Sequence, residues 1–292
     1  MRIAAVIPVY NGEAFLRTAI ESVLAQTSPV DELVILDDGS TDNTRAVALS
    51  YGQHLRYIFQ ENRGLAAARN AGAAASTCGW VAFLDCDDWW LPDKIAKQRA
   101  LIESNPDAVL IYSDQWECES AGKMLYIEAV PPQQLWPQLR TRNGLSSSVA
   151  IVRRDALTSI GGYDEGLRAC EDWDFYVRLH AKGPFAYIAE PLAVYRLSPG
   201  TMSTNADRML QNFEAILEST LLKGLQGWSR ILWRRRARSR QLLSAGLIAR
   251  KAGQRDQERA HLWRSVLQWP SPFWEPRRYA ALAVTMLRHS ID

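Results

Sequence analysis

The chain has 292 residues, 47% of them hydrophobic and 23% charged, a globular composition that can bury a sizeable core and excludes low-complexity or fibrous classes. Its formal net charge of +2 hides an asymmetry: residues 1–205 carry 18 Lys and Arg against 25 Asp and Glu, whereas residues 206–292 carry 16 against 7, which suggests two regions with separate tasks. No apolar stretch approaches the roughly 18–20 residues needed to span a bilayer, and Cys78, Cys86, Cys118 and Cys170 are too scattered for a zinc site or a disulfide scaffold.

Ile3–Val9 is a short apolar run ended by Pro8-Val-Tyr-Asn-Gly12, and Leu16, Ile20, Val23 and Leu24 then fall on one helical face. Leu33–Leu36 repeats the pattern, stopping at Asp37-Asp-Gly-Ser-Thr-Asp42, where Ser40, Thr41 or Asp42 can cap a helix starting near Asn43. Leu55–Phe59 is a third strand, and Asn62-Arg-Gly-Leu-Ala-Ala-Ala-Arg-Asn-Ala-Gly72 opens an alanine-rich helix. The fourth strand, Trp80–Leu84, ends abruptly in Asp85-Cys-Asp-Asp88. Strands alternating with helices through residues 1–105 imply right-handed crossovers and a mostly parallel sheet with flanking helices, an α/β fold.

Open sheets of this kind place ligands at the carboxyl ends of their strands. That edge receives Tyr10 and Asn11, Asp37 and Asp38, Asn62 and Arg69, and the Asp85–Asp88 cluster. Three carboxylates in four residues call for a cation, and hard oxygen ligands suit magnesium or manganese, which keep positions open for phosphate oxygens; a solvated acidic turn is the alternative for a D-x-D taken alone. For Asp37 and Asp42 a turn or capping role is expected. No G-x-x-x-x-G-K-[ST] occurs and no G-x-G-x-x-G follows the first strand, which disfavours a P-loop NTPase and a dinucleotide dehydrogenase.

Five segments in order resemble the family-2 glycosyltransferases of GT-A fold: Ile7-Pro-Val-Tyr-Asn-Gly-Glu13, Leu36-Asp-Asp-Gly-Ser-Thr-Asp42, Asn62–Asn70, Phe83-Leu-Asp-Cys-Asp-Asp-Trp-Trp-Leu-Pro-Asp93 and Glu171-Asp-Trp-Asp-Phe175. The resemblance covers about residues 3–204. It implies a Rossmann-like GT-A domain over residues 1–205, with 206–292 as a basic helical C-terminal region. Carried over residue by residue, it implies that Pro8, Tyr10 and Glu13 line the nucleotide pocket, that Asp38 takes a hydrogen bond from the base, and that Arg69 lies near the base or the diphosphate. It further implies that Asp85 meets the ribose or sugar while Asp87 reaches a metal ion, Mn2+ or Mg2+, with Asp88 close by. In such enzymes an Asp at the position of Asp172 is the usual general base, with Glu171 second as base or acceptor contact, and the reaction inverts the anomeric carbon.

Residues 106–145 read as a strand, Ala108–Tyr112, then a looser stretch with hairpin-turn chemistry at Glu119–Lys123 and an irregular loop at Pro131–Pro137. Trp116 and Trp136 can stack on a sugar ring or simply pack. Ser146–Val152 returns to strand pattern, Arg154–Ile160 is one or two helical turns ended by Gly161-Gly162, and from Trp173 onward the apolar spacing is helical, with Glu171 and Asp172 at the N-terminus and Asp174 facing elsewhere. Phe185–Arg196 is the last strand. The related family often has His shortly after its Tyr-Arg, near diphosphate and metal; here Tyr195-Arg-Leu-Ser198 leaves Ser198 and Arg196 as substitutes.

Beyond residue 206 the pattern is helical: Met209, Leu210, Phe213, Ile216 and Leu217 share a face, Gln241–Trp269 reads as a helical hairpin with small residues at its contact, and Arg278–Arg288 is a last helix. Arg230–Arg240 carries six arginines among Ile231, Leu232 and Trp233, either a peripheral contact with an anionic membrane or a face that is solvated or salt-bridged to the acidic catalytic part. No nucleic-acid reading motif accompanies the charge. With a strand-like run directly after Met1 and no disulfide pattern, the expected place is the cytoplasm, at most peripheral to the inner face of the membrane. The expected partners are a nucleoside diphosphate sugar, first a UDP-sugar, and a glycan or lipid-linked acceptor in polysaccharide or cell-envelope assembly. The rivals are a non-catalytic nucleotide-sugar-binding module and a nucleotidyltransferase, although Pro8-Val-Tyr-Asn lacks the glycines and basic residue of a triphosphate loop.

Overall fold

The computed structural model describes residues 1–197, 205–271, 273 and 275–289; Ser198 lies outside the described residues. The chain divides into two compact units, one formed by Met1–Leu135 and Gly144–Ser198, the other by Trp136–Asn143 and Pro199–Asp292.

The first unit is built on a nine-stranded sheet. β1 (Ile3–Val9), β2 (Glu32–Asp37), β3 (Arg56–Phe59) and β4 (Trp80–Phe83) are joined through α1 (Leu16–Leu24), α2 (Thr44–Leu49) and α3 (Leu65–Ala75). All the pairings among these strands are parallel, in the order β3-β2-β1-β4, as the alternation of apolar runs and helical faces requires. β1 and β4 are buried along their whole length, which explains their unbroken apolar character. Gly72 of α3 lets the helix settle on β1: a Cβ there would fall 2.4 Å from Val6 Cγ1.

Beyond β4 the sheet becomes mixed. β5 (Trp89–Trp90), α4 (Lys94–Ser104), β6 (Leu110–Glu119), β7 (Met124–Ile127), α5 (Pro132–Leu139), β8 (Ile151–Arg153), α6 (Arg154–Ser159), α7 (Glu171–His180) and β9 (Phe185–Leu197) complete the order β3-β2-β1-β4-β8-β6-β9-β5, with β7 on β6. β8 is antiparallel to both β4 and β6, whereas β6 and β9 run parallel through an irregular register at Ser113–Gln115. At that irregularity the buried carboxylate of Asp114 accepts hydrogen bonds from the Ala129 amide at 2.7 Å, from the Tyr187 hydroxyl at 2.5 Å and from the Tyr126 hydroxyl. The hairpin turn expected at Glu119–Lys123 closes with the Glu119 amide donating to the Lys123 carbonyl.

Pro131–Pro137, expected as an irregular loop, is mostly helical. Pro132 is the first residue of α5, where its missing N–H breaks no helical bond, and only Pro137 interrupts the ladder, while Leu135 and Leu139, four apart, are both buried. Ser147–Val149, expected within a strand, form a 3-10 turn that precedes β8.

The described residues of the second unit are helical: α8 (Ala206–Ile216) runs on into one π-helical turn, Leu217–Leu221, and is followed by α9 (Gly227–Lys251), α10 (Arg255–Gln268) and α11 (Arg277–His289). The helical hairpin is α9 against α10, turned at Gly253, whose φ of 73° is left-handed. The small residues read from the sequence do bring the helices close, since a Cβ on Gly246 would lie 2.9 Å from Leu262 Cγ. The Arg230–Arg240 stripe is largely satisfied within this unit. Arg230 and Arg234 share Glu218 at 2.6 and 2.8 Å, Arg238 pairs with Glu214 at 2.7 Å, and Arg240 pairs with Glu275. Arg235 donates to the Gln268 carbonyl at 2.8 Å, and Arg236 lies 4.8 Å from the Trp269 ring centre. These partners belong to the run's own unit, not to the acidic catalytic part expected to pair with it.

Candidate active site

The strand ends explain the site's position. Val6 accepts a ladder bond from the Leu84 amide, and the following bond of that ladder would come from the amide of residue 8. Pro8 has none, so β4 parts from β1 there and residues 85–88 turn away from the sheet. On its other side β1 stays paired to β2 as far as Val9 with Asp37. The two neighbouring loops are knitted together: Asn11 Oδ1 accepts from the Thr41 amide at 2.8 Å, the Asn11 amide donates to Ser40 Oγ at 2.8 Å and the Gly12 amide to Thr44 Oγ1 at 2.9 Å. Tyr10, at the rim, is 53% exposed. Glu13 is exposed too, but its Oε2 accepts from the Asn43 amide at 2.8 Å, tying the loop after β1 to the start of α2. Asp37 and Asp42 take the turn roles expected of them, accepting from the Ser40 and Thr44 amides at 2.8 and 3.0 Å.

Asp38, expected to meet a base, is buried and accepts from Gln60 Nε2 at 2.7 Å and from the Arg63 and Gly64 amides at 2.9 and 2.8 Å. Three of its four lone-pair sites are thus occupied, and its visible work is to fix the loop that leads into α3.

In the acidic turn the three carboxylates have different surroundings. Asp88 is 1% exposed; its Oδ2 accepts from Ser148 Oγ at 2.5 Å and its Oδ1 from the Arg196 amide at 2.9 Å. Burial, with Asp85 and Asp87 beside it, pushes its pKa well up. Asp87 is half-buried, and burial together with the Asp85 carboxylate raises its pKa, opposed by Arg196 and Arg69. Arg196 clamps the turn from β9: its Nε donates to the Asp87 carbonyl at 2.8 Å, and its guanidinium lies 5.1 Å from the Phe15 ring centre and 4.9 Å from that of Trp89. Gly12 lies against this turn, its Cβ position 3.2 Å from Cys86 Sγ.

Arg69, the residue expected near the base or the diphosphate, is only 2% exposed, with Nη2 on Asp85 Oδ1 at 2.7 Å and Nη1 on Glu171 Oε1 at 2.8 Å. Burial would lower the pKa of its guanidinium, but Asp85 and Glu171 hold it well above the usual value. The cation lies 5.3 Å from the Tyr163 ring centre, and that ring stacks on Phe175 of α7 at 4.1 Å. Asn70 receives from the Tyr163 amide at 2.8 Å and donates to its carbonyl at 2.9 Å. Arg69 therefore joins the acidic turn to the N-terminus of α7, and Asn70 fixes Tyr163 beside it.

That helix begins after Cys170, whose φ of 61° is left-handed, and sets Glu171 and Asp172 in its first turn. Asp174, expected to face elsewhere, pairs with Arg178 at 2.6 Å. Asp172 is partly exposed, its Oδ1 accepting from the Trp173 amide at 2.7 Å. Burial and the adjacent Glu171 carboxylate push its pKa up to about 7, with Arg69 acting in the other direction. A carboxylate titrating near neutrality is suited to accepting a proton. The structure thus gathers the acidic turn, Arg69, Glu171 and Asp172 into one network. It leaves Trp116 packed edge-on against Tyr126 at 5.4 Å, and Trp136 under the Arg140 guanidinium at 4.9 Å.

Sequence reasoning missed Ser148 and Tyr163. Ser148 is buried, donates to Asp88 and accepts from the Asp85 amide at 3.2 Å, so it orients two of the three acids; the three-serine run Ser146–Ser148 was its only signal. Nothing in the pattern around Tyr163 marks it.

No group of three or more His, Cys, Asp or Glu side chains that could hold a metal ion occurs among the described residues. Nor, among them, is any helix long and apolar enough to cross a membrane.

The family model for Glycosyl transferase family 2 matches residues 4–157, and a second, Glycosyltransferase like family 2, matches residues 134–228. The chain is 33% identical over 218 residues to an uncharacterized glycosyltransferase of Haemophilus influenzae, covering 70% of this chain and 73% of that one. It is 28% identical over 233 residues to one of Rickettsia prowazekii, covering 76% and 72%. Among solved structures it resembles S. aureus TarS 1–349 in complex with UDP-GlcNAc, with a TM-score of 0.66 at 17% identity over 92% of this chain and 81% of that one. A longer TarS chain matches with a TM-score of 0.62 at 18% identity, over 97% of this chain and 50% of its own. These likenesses establish the mixed, helix-flanked GT-A sheet, and the extent of the sequence matches places the chain in glycosyl transferase family 2.

Proposed function

We propose that this protein transfers a sugar from a nucleoside diphosphate sugar to a hydroxyl of a glycan or lipid-linked acceptor, inverting the anomeric carbon, in the assembly of an envelope polysaccharide. The observation that carries the reading is the arrangement around Arg69. A carboxylate poised near neutrality, Asp172, adjoins Glu171, which Arg69 ties to an acidic turn at the sheet's rim. Asp172 takes the proton of the acceptor hydroxyl as its oxygen attacks the anomeric carbon, and the nucleoside diphosphate departs from the opposite side. Glu171, held by Arg69, raises the basicity of Asp172 through its negative charge.

A divalent ion, Mn2+ or Mg2+, fits the acids present. Asp88 has both oxygens engaged, and Asp85 is paired with Arg69, so Asp87 is the carboxylate that would hold the ion, with Asp88 beside it. Magnesium characteristically takes one or two protein carboxylates and completes its shell with water and substrate phosphates. Such an ion would supply charge to stabilise the departing diphosphate. Tyr10 and Glu13 at the rim, Pro8 behind them and Asp38 beneath line the nucleotide side.

UDP sugars are the donors to try first, because TarS of similar fold was crystallised with UDP-GlcNAc and with UDP. The test is release of UDP from a panel of donors with manganese present and absent. Metal-dependent turnover supports transfer, metal-dependent binding without turnover would make the protein a binding module, and neither would end the reading.

A further inference from the structure

Along α9 the face that meets α10 is marked by Arg235, Ser239 and Gly246. Arg235 donates to the carbonyl of Gln268 and Ser239 to that of Ser265, each at 2.8 Å, and Gly246 lies against Leu262. α10 ends at Gln268, but α9 continues for about two further turns towards its start at Gly227. At 3.6 residues per turn, the same face is carried on by Ile231, Leu232 and Trp228, which are 45%, 43% and 80% exposed. The stripe that is a helix contact in one half of α9 is therefore an uncovered apolar ledge in the other.

The charged side chains at this end of the unit are mostly basic. The exposed Lys223 stands in the turn whose Leu222 and Leu225 carbonyls accept from Arg230 Nη1 at 2.9 and 3.3 Å. Arg235 is exposed on the ledge itself, and Arg230 and Arg234 together meet a single carboxylate, Glu218. Four basic side chains against one acid leave a net charge of +3 at this end of the second unit, with Arg235 on the ledge itself and Arg230 and Arg234 on other faces of α9.

We propose that this overhanging end of α9 docks on an anionic lipid surface, with Trp228, Ile231 and Leu232 entering the boundary between headgroups and acyl chains and Lys223 and Arg235 facing lipid phosphates. A helix that lies in the interface combines an indole, aliphatic side chains and flanking cations in this way. A second copy of the chain, approaching symmetrically, would instead set one basic rim against another. The contact belongs to the ledge and not to the arginine stripe as a whole, most of which is ion-paired. It is independent of the reaction proposed for the first unit.

The experiment is sedimentation of the whole protein with phosphatidylcholine vesicles, with or without about one-third phosphatidylglycerol. Binding to the anionic vesicles is expected, weakening as salt is raised, and the triple variant Trp228→Ser, Ile231→Ser, Leu232→Ser should lower the partition coefficient at least about tenfold. Trp228→Ser alone, at the most exposed position, serves if the triple variant does not fold, and should lower it severalfold. No binding to anionic vesicles, equal binding to neutral ones, or an unchanged partition of the variants would overturn the proposal. So would self-association that the variants abolish without any binding to lipid.

Discussion

Replacing Arg69 with Met keeps an unbranched apolar stem and removes the charged guanidinium. Two carboxylates then lose their partner: Glu171, almost wholly buried, and Asp85, whose side chain is 23% exposed. Breaking a buried ion pair by deleting one member costs about 3–5 kcal/mol, because the remaining charge stays in low dielectric. Asp85 recovers part of its hydration, so the lower end, about 3 kcal/mol, is the expected loss. The contact with the Tyr163 ring disappears as well, which adds about 0.5–1 kcal/mol. Urea unfolding of both proteins measures this as a fall in midpoint at unchanged slope. The same substitution removes the influence that lowers the pKa of Asp172, so the pH at which transfer is half-maximal should move upward from about 7. A stability loss below about 1 kcal/mol would refute the argument, since it would mean that the two carboxylates are hydrated or otherwise paired without Arg69.

Transfer by the unaltered protein should rise with pH and level off above about 7, as Asp172 loses its proton. Asp172→Asn should remove that limb and lower the rate by about 10²–10⁴-fold while leaving donor binding intact; retained transfer rejects Asp172 as base. Because its folded pKa stands above the ordinary 3.8, Asp172 favours the folded state below that value and loses this contribution as pH rises to about 7, so the Asn variant should unfold at higher urea than the parent above neutrality. Asp87→Asn should raise the manganese concentration needed for UDP binding, read by calorimetry; an unchanged requirement removes Asp87 as ligand. Gly246→Ala should destabilise by about 1 kcal/mol in urea unfolding, since overpacking against the fully buried Leu262, about 1–3 kcal/mol, exceeds the gain in helix propensity, about 1 kcal/mol. A stabilised variant would show that α10 can shift.

What was legible in the sequence is what periodicity and turn chemistry encode. The parallel strands, the acidic turn after β4 and the start of α7 at Glu171 all follow from apolar runs broken by residues that favour turns or caps. The sequence pattern ends β6 at Tyr112 because the residues beyond it do not alternate cleanly, yet pairing with β9 carries the strand to Glu119, its second half only partly buried. α5 was hidden by its prolines, whose positions cost it little. At the site, the identity of the acids was visible but their division of labour was not. Whether a carboxylate meets solvent, as Asp87 does in part, or is consumed by a serine and a backbone amide, as Asp88 is, depends on residues sixty to a hundred positions away. The arginines of α9 show the same limit, since the glutamates that absorb them sit on α8 and on the π-helical turn that follows it, and local composition does not record them.

The interlocked loops after β1 and β2 bear on how a ligand is received. Asn11, Ser40, Asp42 and Glu13 exchange side-chain and backbone bonds across some thirty residues of chain, so this margin holds its shape with nothing bound. Fixing a backbone residue costs about 1–2 kcal/mol of lost freedom; here that loss is incurred once, during folding, and is not repeated at each encounter. For the nucleotide donor proposed above, binding at this margin would therefore be spared the cost of ordering it.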